Sequence, residues 1–322
     1  MLKKKAPDSP TPSSLILKYR PQTWEELVGQ EAVVRSLTTA IRNKTRPHSF
    51  LFTGPSGTGK TTIARLIARE MKVLPENISQ IDAASFSGIE SVRSILSTLP
   101  FRGWGEAPRL IIMDECHSLS KPAWQALLKS IEEPPAHVFW VFCTTEPDKV
   151  PETIKTRCLA YSLKPVRPDT LAEWLEGIAE SEGITLGAKL VGLIARKAEG
   201  SPRRALSFLN ACAAAESKDE VLSLIDSVEQ SEGAIALARL IVKGQGFGWD
   251  EARRLVEGMD EGNMEGVRLT IYNYATKALL GTQGEKQAVR LAAVLHAFSG
   301  TYNPSEGKGP LLLSIASLLF GD

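Results

Sequence analysis

The chain has 322 residues, with 38 basic and 37 acidic side chains, giving a net charge of +1 at neutral pH. That length exceeds one ordinary core and implies two or three folding units, while the near balance of charge excludes a protein that coats nucleic acid along its whole surface. The four cysteines are scattered without a C-x-x-C pair, which fits a reducing, cytoplasmic setting and leads to the expectation of no zinc.

Met1-Leu2-Lys3-Lys4-Lys5 is basic and runs into Pro and Ser with no apolar core, so it does not read as a signal peptide, and residues 1–14 are expected to form a disordered tail. Strand-like and helix-like runs then alternate up to about Pro165, the pattern of an α/β domain over 15–165 with a parallel sheet covered on both faces. The apolar run Phe50-Leu51-Phe52 leads into Gly54-Pro55-Ser56-Gly57-Thr58-Gly59-Lys60-Thr61, and a helical run continues from Thr62 to Met71. In the spacing G-x-x-x-x-G-K-[ST] the glycines let successive backbone N–H groups turn toward one anion, and the helix N-terminus behind them adds its positive end. Lys60 is placed to reach the terminal phosphates, Thr61 offers a hydroxyl to Mg²⁺, and Thr62 continues the helix. A glycine-rich turn with an accidental lysine is the bland alternative, and the flanking strand and helix weigh against it.

Arg109-Leu110-Ile111-Ile112-Met113 is apolar on both faces, as a central parallel strand must be, and it ends in Asp114-Glu115. Ligands in such sheets sit at the carboxyl ends of the strands. Asp114 is therefore the candidate for the Mg²⁺ shell and Glu115 the candidate base that polarises an attacking water, against the plain reading of a solvated acidic turn. His117 reads as a polar residue at the strand exit with no catalytic role. Trp124, Leu127, Leu128 and Ile131 fall on one helical stripe, which makes Trp124 core and not a base-stacking platform. A third apolar strand, Val138 to Cys143, ends at Thr144, whose hydroxyl could orient a water between metal and γ-phosphate.

After Pro165 the strand signals stop. Asp169-Thr170 caps a helix through Ser181, Leu186 to Ala198 reads as a second, and Ser201-Pro202 opens a third, so 166–216 is expected to be a three-helix lid. Residues 217–322 stay helical, with runs at 219–226, 233–243, 249–258, 264–280, 285–299 and 309–320. The apolar run from Leu311 to Phe320 is too short to span a bilayer, and no membrane contact is expected.

Lys18-Tyr19-Arg20-Pro21, Val28-Gly29-Gln30-Glu31, the phosphate loop, Asp114-Glu115-Cys116-His117, Glu132-Glu133-Pro134-Pro135, Thr156-Arg157-Cys158 and Gly200-Ser201-Pro202-Arg203 follow one another in an order that resembles the AAA+ sliding-clamp-loader ATPases, of the bacterial tau/gamma and replication factor C small-subunit types. The resemblance covers about residues 15 to 215. It implies an AAA+ P-loop NTPase core followed by the lid and an all-helical collar at 217–322 through which subunits form a ring, a pentamer in the family. By the same resemblance Tyr19, Arg20 and Pro21 border the adenine of ATP, Thr144 is the first sensor, Arg203 is the second sensor on the lid, and Arg157 is an arginine finger that reaches the γ-phosphate held by a neighbouring subunit. Ser87 and Gly88 at a helix start, with Arg93, match a DNA-facing helix that tracks backbone and not sequence, and Gln125 matches a position that couples the catalytic acid to DNA.

The implied activity is Mg²⁺-dependent ATP hydrolysis that governs closure of a ring of other clamp-loader subunits around an opened sliding clamp and primer-template DNA. Three departures qualify the match: Thr156 replaces the usual Ser, Cys116 replaces the commoner Val, and no four-cysteine zinc module follows the phosphate loop. Arg204 stands where bacterial members usually carry Asp. The chain stops near the collar, which leads to the expectation that it lacks the long extension by which bacterial tau reaches helicase and polymerase. Two other classes remain open at this level, a different AAA+ DNA motor and a ring subunit that binds nucleotide but hydrolyses little. The motor lacks support from any basic winged-helix pattern, and the structural subunit should have lost Lys60, Glu115 or Arg157, all of which are present.

Overall fold

The computed structural model describes residues 12–321 apart from 44–45, 85, 87, 105–106, 245–246 and 283. The chain divides into two compact units, one ending at Val221 and the other beginning at Leu222. In the first, five strands pair in parallel in the order β2-β3-β4-β1-β5: β1 (Ser49–Thr53), β2 (Ile78–Asp82), β3 (Arg109–Asp114), β4 (Val138–Thr144) and β5 (Leu159–Ser162).

The central strands are apolar in unbroken runs because both sheet faces are covered, and the two-residue period of a strand divides their side chains between two cores. Leu110 and Ile112 of β3, Phe139 and Val141 of β4, and Phe50 and Phe52 of β1 pack with Leu37 and Ile41 of α2 (Glu31–Arg42) and with Ile63 and Ile67 of α3 (Lys60–Glu70). Their alternate neighbours Ile111, Met113, Trp140, Phe142 and Leu51 pack with Val92 of α4 (Ile89–Thr98) and with Trp124, Leu127 and Ile131 of α5 (Lys121–Glu132). Trp124 is buried as the stripe predicts. The outer strands β2 and β5 alternate in burial, and their sequences, Ile-Ser-Gln-Ile-Asp and Leu-Ala-Tyr-Ser, lack the apolar run that marks the inner three.

A helix α1 (Pro12–Lys18) precedes the sheet, with Leu15 fully buried. It overlaps the last three positions of the expected tail at 12–14, and residues 1–11 lie outside the described residues. Three helices follow β5: α7 (Pro168–Glu182), α8 (Ala188–Lys197) and α9 (Pro202–Ala211), with a four-residue α6 (Glu152–Lys155) between β4 and β5. The end of α7 and both ends of α8 fall within two residues of the sequence reading, but α7 starts at Pro168 with Arg167 as its N-cap, so the expected caps Asp169 and Thr170 lie inside its first turn. Each start has a local reason: Pro occupies the first turn of α7 and α9, and the Ser201 hydroxyl accepts from Arg204 N–H at 3.3 Å as the N-cap of α9. The segment between β5 and α7 is held on both sides, with Val166 N–H donating to Gly200 O at 2.9 Å and the Gln30 side-chain Nε2 donating to Lys164 O at 2.7 Å.

The second unit is helical throughout its described residues, with α11 (Trp249–Glu257), α12 (Met264–Leu280), α13 (Glu285–Ala297) and α14 (Gly309–Phe320). Here the sequence reading needs one correction. The runs expected at 219–226 and 233–243 belong to one 26-residue helix, α10 (Lys218–Lys243). No proline interrupts the polar stretch between them, and a single Gly233 costs a helix only about 1 kcal/mol. The core of this unit gathers Leu237, Ile241, Val256, Ile271, Phe298, Leu311 and Ile315. Among the described residues no helix is long and apolar enough to cross a membrane.

Candidate functional site

The parallel sheet brings the carboxyl ends of β1, β3 and β4 side by side, so the three predicted segments meet at one edge of the sheet. A cleft of about 330 Å³ opens there. Its lining includes Ser56, Gly57, Thr58, Gly59, Lys60, Thr61 and Thr62 of the loop and helix start, together with Asp114 and Glu115. Tyr19, Arg20 and Pro21 line it from the segment after α1, and Arg203 lines it from the start of α9. Gly54 and Pro55 complete the loop, and their carbonyl oxygens each accept from Lys60 Nζ at 2.8 Å.

The loop takes its shape from glycines in the left-handed region, Gly54, Gly57 and Gly59. A Cβ at Gly54 would lie 2.4 Å from Leu163 O, so only glycine lets the loop pass β5 this closely. Lys60 is 8% exposed, and burial lowers its pKa below the ordinary 10.5, with Glu115 and Asp114 among the groups pulling it back up. Arg20 is also held down, first by burial and then by the positive charges of Arg65 and Arg203. One cleft thus holds an ammonium and three guanidiniums that repel one another, an arrangement that a polyphosphate would relieve.

Both oxygens of Asp114 are committed. Thr61 Oγ1 donates to Oδ1 at 2.8 Å and Gln80 Nε2 donates to Oδ2 at 2.7 Å, while Arg65 in turn donates to Gln80 Oε1 at 2.6 Å. A hydroxyl and a carboxylate oxygen adjacent at the helix start form the hard-oxygen pair that suits Mg²⁺, whose remaining positions are normally filled by water and phosphate, so the residues present fit that ion. Gln80 and Arg65 escaped the sequence reading, as did Ile16, Trp174 and Leu206, which with Val28 add an apolar part to the lining. Gln80 sits on the outer strand β2, whose polar alternation concealed it; Trp174 lies on a lid helix and carries no motif.

Glu115 has φ +47°, a left-handed conformation unfavourable for a side chain other than glycine, and this bends the chain out of the sheet at the strand end. Its carboxylate accepts from Thr145 Oγ1 at 3.2 Å. Thr144 is fully buried at the end of β4 and does not line the cleft; its hydroxyl lies 3.0 Å from His117 Nδ1. Arg157 does not line the cleft either. It is exposed on the loop after α6, paired with Glu132 at 2.5 Å and donating to Thr153 O at 2.8 Å. Arg204 pairs with Glu199 at 2.6 Å within the lid. Gly88 precedes α4, Arg93 is exposed on that helix and Gln125 is exposed on α5, whereas Ser87 lies outside the described residues.

Tyr19 is anchored by a hydrogen bond from its hydroxyl to Glu182 at the end of α7, and Lys18 pairs with the same carboxylate at 2.6 Å. Burial first, and then this carboxylate, push the Tyr19 phenol up to about 12, so it stays neutral and donating through the physiological range.

The strand order, the phosphate loop, the paired carboxylates and the helical lid together define a P-loop nucleotide-binding module of the AAA+ class. Two family models match parts of it, "DNA polymerase III, delta subunit" over residues 73–167 and "Magnesium chelatase, subunit ChlI" over residues 23–107. Among curated proteins the chain is 32% identical over 303 residues to DNA polymerase III subunit tau of Escherichia coli, covering 88% of this chain and 44% of that one. It is 32% identical over 215 residues to DNA polymerase III subunit gamma of Buchnera aphidicola, covering 60% of this chain and 58% of that one. It is 34% identical over 213 residues to subunit tau of Bacillus subtilis, covering 60% of this chain and 38% of that one. The chain therefore spans between 38% and 58% of the length of these relatives. Among solved structures, the RuvB Holliday junction branch migration motor of Thermotoga maritima aligns with a TM-score of 0.56 at 22% identity, over 81% of this chain and 91% of that one, which is a likeness of fold. Over most of its own length the chain is thus similar in sequence to DNA polymerase III tau/gamma subunits, which supports the reading of an AAA+ clamp-loader subunit.

Proposed function

We propose that the chain is an ATPase subunit of a DNA polymerase clamp loader, hydrolysing ATP in the presence of Mg²⁺. The observation that carries this reading is the crowding of Lys60, Arg20, Arg65 and Arg203 around the phosphate loop beside the Thr61–Asp114 pair. In that reading the loop amides and Lys60 hold the β- and γ-phosphates, Lys60 exchanging the carbonyls of Gly54 and Pro55 for phosphate oxygens. Thr61 and Asp114 hold the Mg²⁺, which when bound neutralises charge developing on the phosphates. Glu115 takes the proton of an attacking water, with Thr144 as the sensor behind it. Tyr19, Arg20 and Pro21 border the base and Arg203 reaches the γ-phosphate from the lid.

Arg157 supplies a guanidinium to the neighbouring subunit's ATP. Its exposure and its place outside its own cleft's lining support a role in trans, and such a residue contributes about 10³- to 10⁵-fold in rate where it operates. Residues 15–165 form the ATPase domain, 166–216 the lid and 217–322 the collar that joins other subunits in a ring, a pentamer by family analogy, without zinc. The partners are a sliding clamp and primer-template DNA in the cytoplasm, with Ser87, Gly88 and Arg93 offered to the DNA backbone.

The alternative of a branch-migration motor has only the fold in its favour, since the sequence relatives are DNA polymerase III subunits. The deciding experiment measures ATP turnover with primed DNA alone and with primed DNA plus a sliding clamp, in the presence of partner subunits. Stimulation by the clamp supports the reading; equal rates with and without the clamp contradict it.

A further inference from the structure

His117 lies in the short turn Cys116–Ser118 that follows the left-handed Glu115, and its side chain is only 14% exposed. Oxygens of Thr144, Glu115 and Glu146 lie against the ring. Nδ1 is 3.0 Å from Thr144 Oγ1 and 3.4 Å from Glu115 Oε2, and Nε2 is 3.1 Å from Glu146 Oε1. Glu146 is itself fixed, by an ion pair to Lys149 at 2.8 Å.

The network assigns the tautomer. A carboxylate only accepts, so Nε2 carries the proton that goes to Glu146; in the neutral ring Nδ1 then keeps its lone pair, and its nearer partner is the Thr144 hydroxyl at 3.0 Å, with the Glu115 carboxylate farther off at 3.4 Å. Thr144 Oγ1 already accepts from Glu146 N–H at 3.0 Å, so its own proton is free to point at Nδ1. The hydroxyl rotor of Thr144 is thereby fixed, with its remaining lone pair turned away from the ring. Glu115 is held on the adjacent side by Thr145, against the same edge of the imidazole.

We propose that His117 is a positioning residue for nucleotide hydrolysis: anchored by Glu146, it sets the direction of the Thr144 hydroxyl and the seat of the Glu115 carboxylate, so that the base and the sensor act as one unit. This rests on the ATPase reading above. His117 neither binds nucleotide nor receives the water proton, so its removal affects turnover and not affinity. A misplacement of about 1 Å in such a site costs about 10²-fold in rate.

The test compares His117→Ala, His117→Asn and His117→Gln in the full chain, measuring single-turnover ATP hydrolysis with partner subunits, nucleotide affinity by a fluorescent ATP analogue, and thermal midpoint. His117→Ala is expected to lower kcat by about 10- to 100-fold with KM changed less than about two-fold. His117→Asn, whose amide oxygen can occupy the place of Nδ1, should recover part of that rate. His117→Gln, which reaches toward Glu146, should not. A wild-type kcat in His117→Ala, or equal losses in all three variants that follow their thermal midpoints, overturns the proposal. ¹⁵N NMR of the wild-type protein reads the ring directly and needs no turnover: the Nε2–H tautomer is expected, and the Nδ1–H tautomer overturns the assignment. Absence of ATP hydrolysis in the assembled wild type would instead count against the ATPase reading, with the NMR result still standing.

Discussion

A Cβ built on Gly57 would sit 2.0 Å from the hydroxyl of Ser201, so the phosphate loop and the first turn of the lid touch with no room for a side chain between them. Gly57 also has φ +76°, where a side chain costs about 1–2 kcal/mol. Movement of the lid and the shape of the loop are coupled at this contact. Gly57→Ala is expected to weaken ATP binding about 5- to 30-fold, as strain of that size implies, and to shift Arg203 away from the loop. A fluorescent-nucleotide titration checks it, and wild-type affinity would show that the lid yields freely.

Lys60 is a buried cation answered in this structure by two carbonyl oxygens and by neighbouring carboxylates. Its lowered pKa means that the folded chain releases this proton before the unfolded chain does. Between that lowered value and the ordinary 10.5 the unfolded state therefore binds more protons, and this group makes nucleotide-free stability rise with pH. Lys60→Met should abolish ATP binding, and should flatten that alkaline rise in denaturant midpoints measured without nucleotide. A variant that retained the rise would place its origin elsewhere.

Gln80 is the less obvious half of the Asp114 anchor. Gln80→Leu removes the donor at 2.7 Å from Oδ2 and leaves the Thr61 contact in place. Residues that orient metal-binding side chains typically change metal affinity by about 10- to 100-fold. The Mg²⁺ concentration for half-maximal turnover should rise on that order, while nucleotide binding in excess chelator stays at the wild-type value. Equal loss in both conditions would make Gln80 a structural residue.

Away from the cleft, Glu70 accepts from Arg42 Nε at 2.8 Å and from Trp24 Nε1 at 3.1 Å. Arg42 first, with Trp24 assisting, holds the Glu70 carboxyl below its ordinary 4.5. The stability from this lowering is present above pH 4.5 and is lost as pH falls through the lowered value. Glu70→Gln should cost up to about 1 kcal/mol at neutral pH, the upper range for such a solvent-screened pair, and the difference from wild type should close in acid. Urea titrations across that range test the sign.

The parts of this molecule legible in the sequence are those where one chemical demand dominates. The inner strands must be apolar on both faces, and the loop must be glycine where Gly54 passes Leu163. The start of α9 was legible because the Ser201 cap announces it, whereas α7 opens at Pro168 behind Arg167 and not at the Asp169-Thr170 pair read as its cap. What escaped depended on neighbours distant in sequence. Gln80 is one polar residue on a half-exposed strand until Asp114 is set beside it by the β2–β3 pairing. His117 looked like a strand-exit residue because nothing local shows that Thr144 and Glu146 close around it. The merging of two predicted runs into α10 reflects the weakness of polar residues and one glycine as helix breaks.

The central claim is a nucleotide site completed by a second subunit, and mixing two variants tests it most directly. Lys60→Ala keeps Arg157 but cannot hold nucleotide, and Arg157→Ala keeps the cleft but lends no guanidinium. ATP turnover is measured for each alone and for their mixture, with clamp, primed DNA and the partner subunits present. Each variant alone should fall by at least about 10³-fold, the lower value for a lost arginine finger, and the mixture should regain activity in proportion to the interfaces that join an intact cleft to an intact Arg157. Full activity of Arg157→Ala alone, or a mixture no faster than the sum of its parts, would contradict the account.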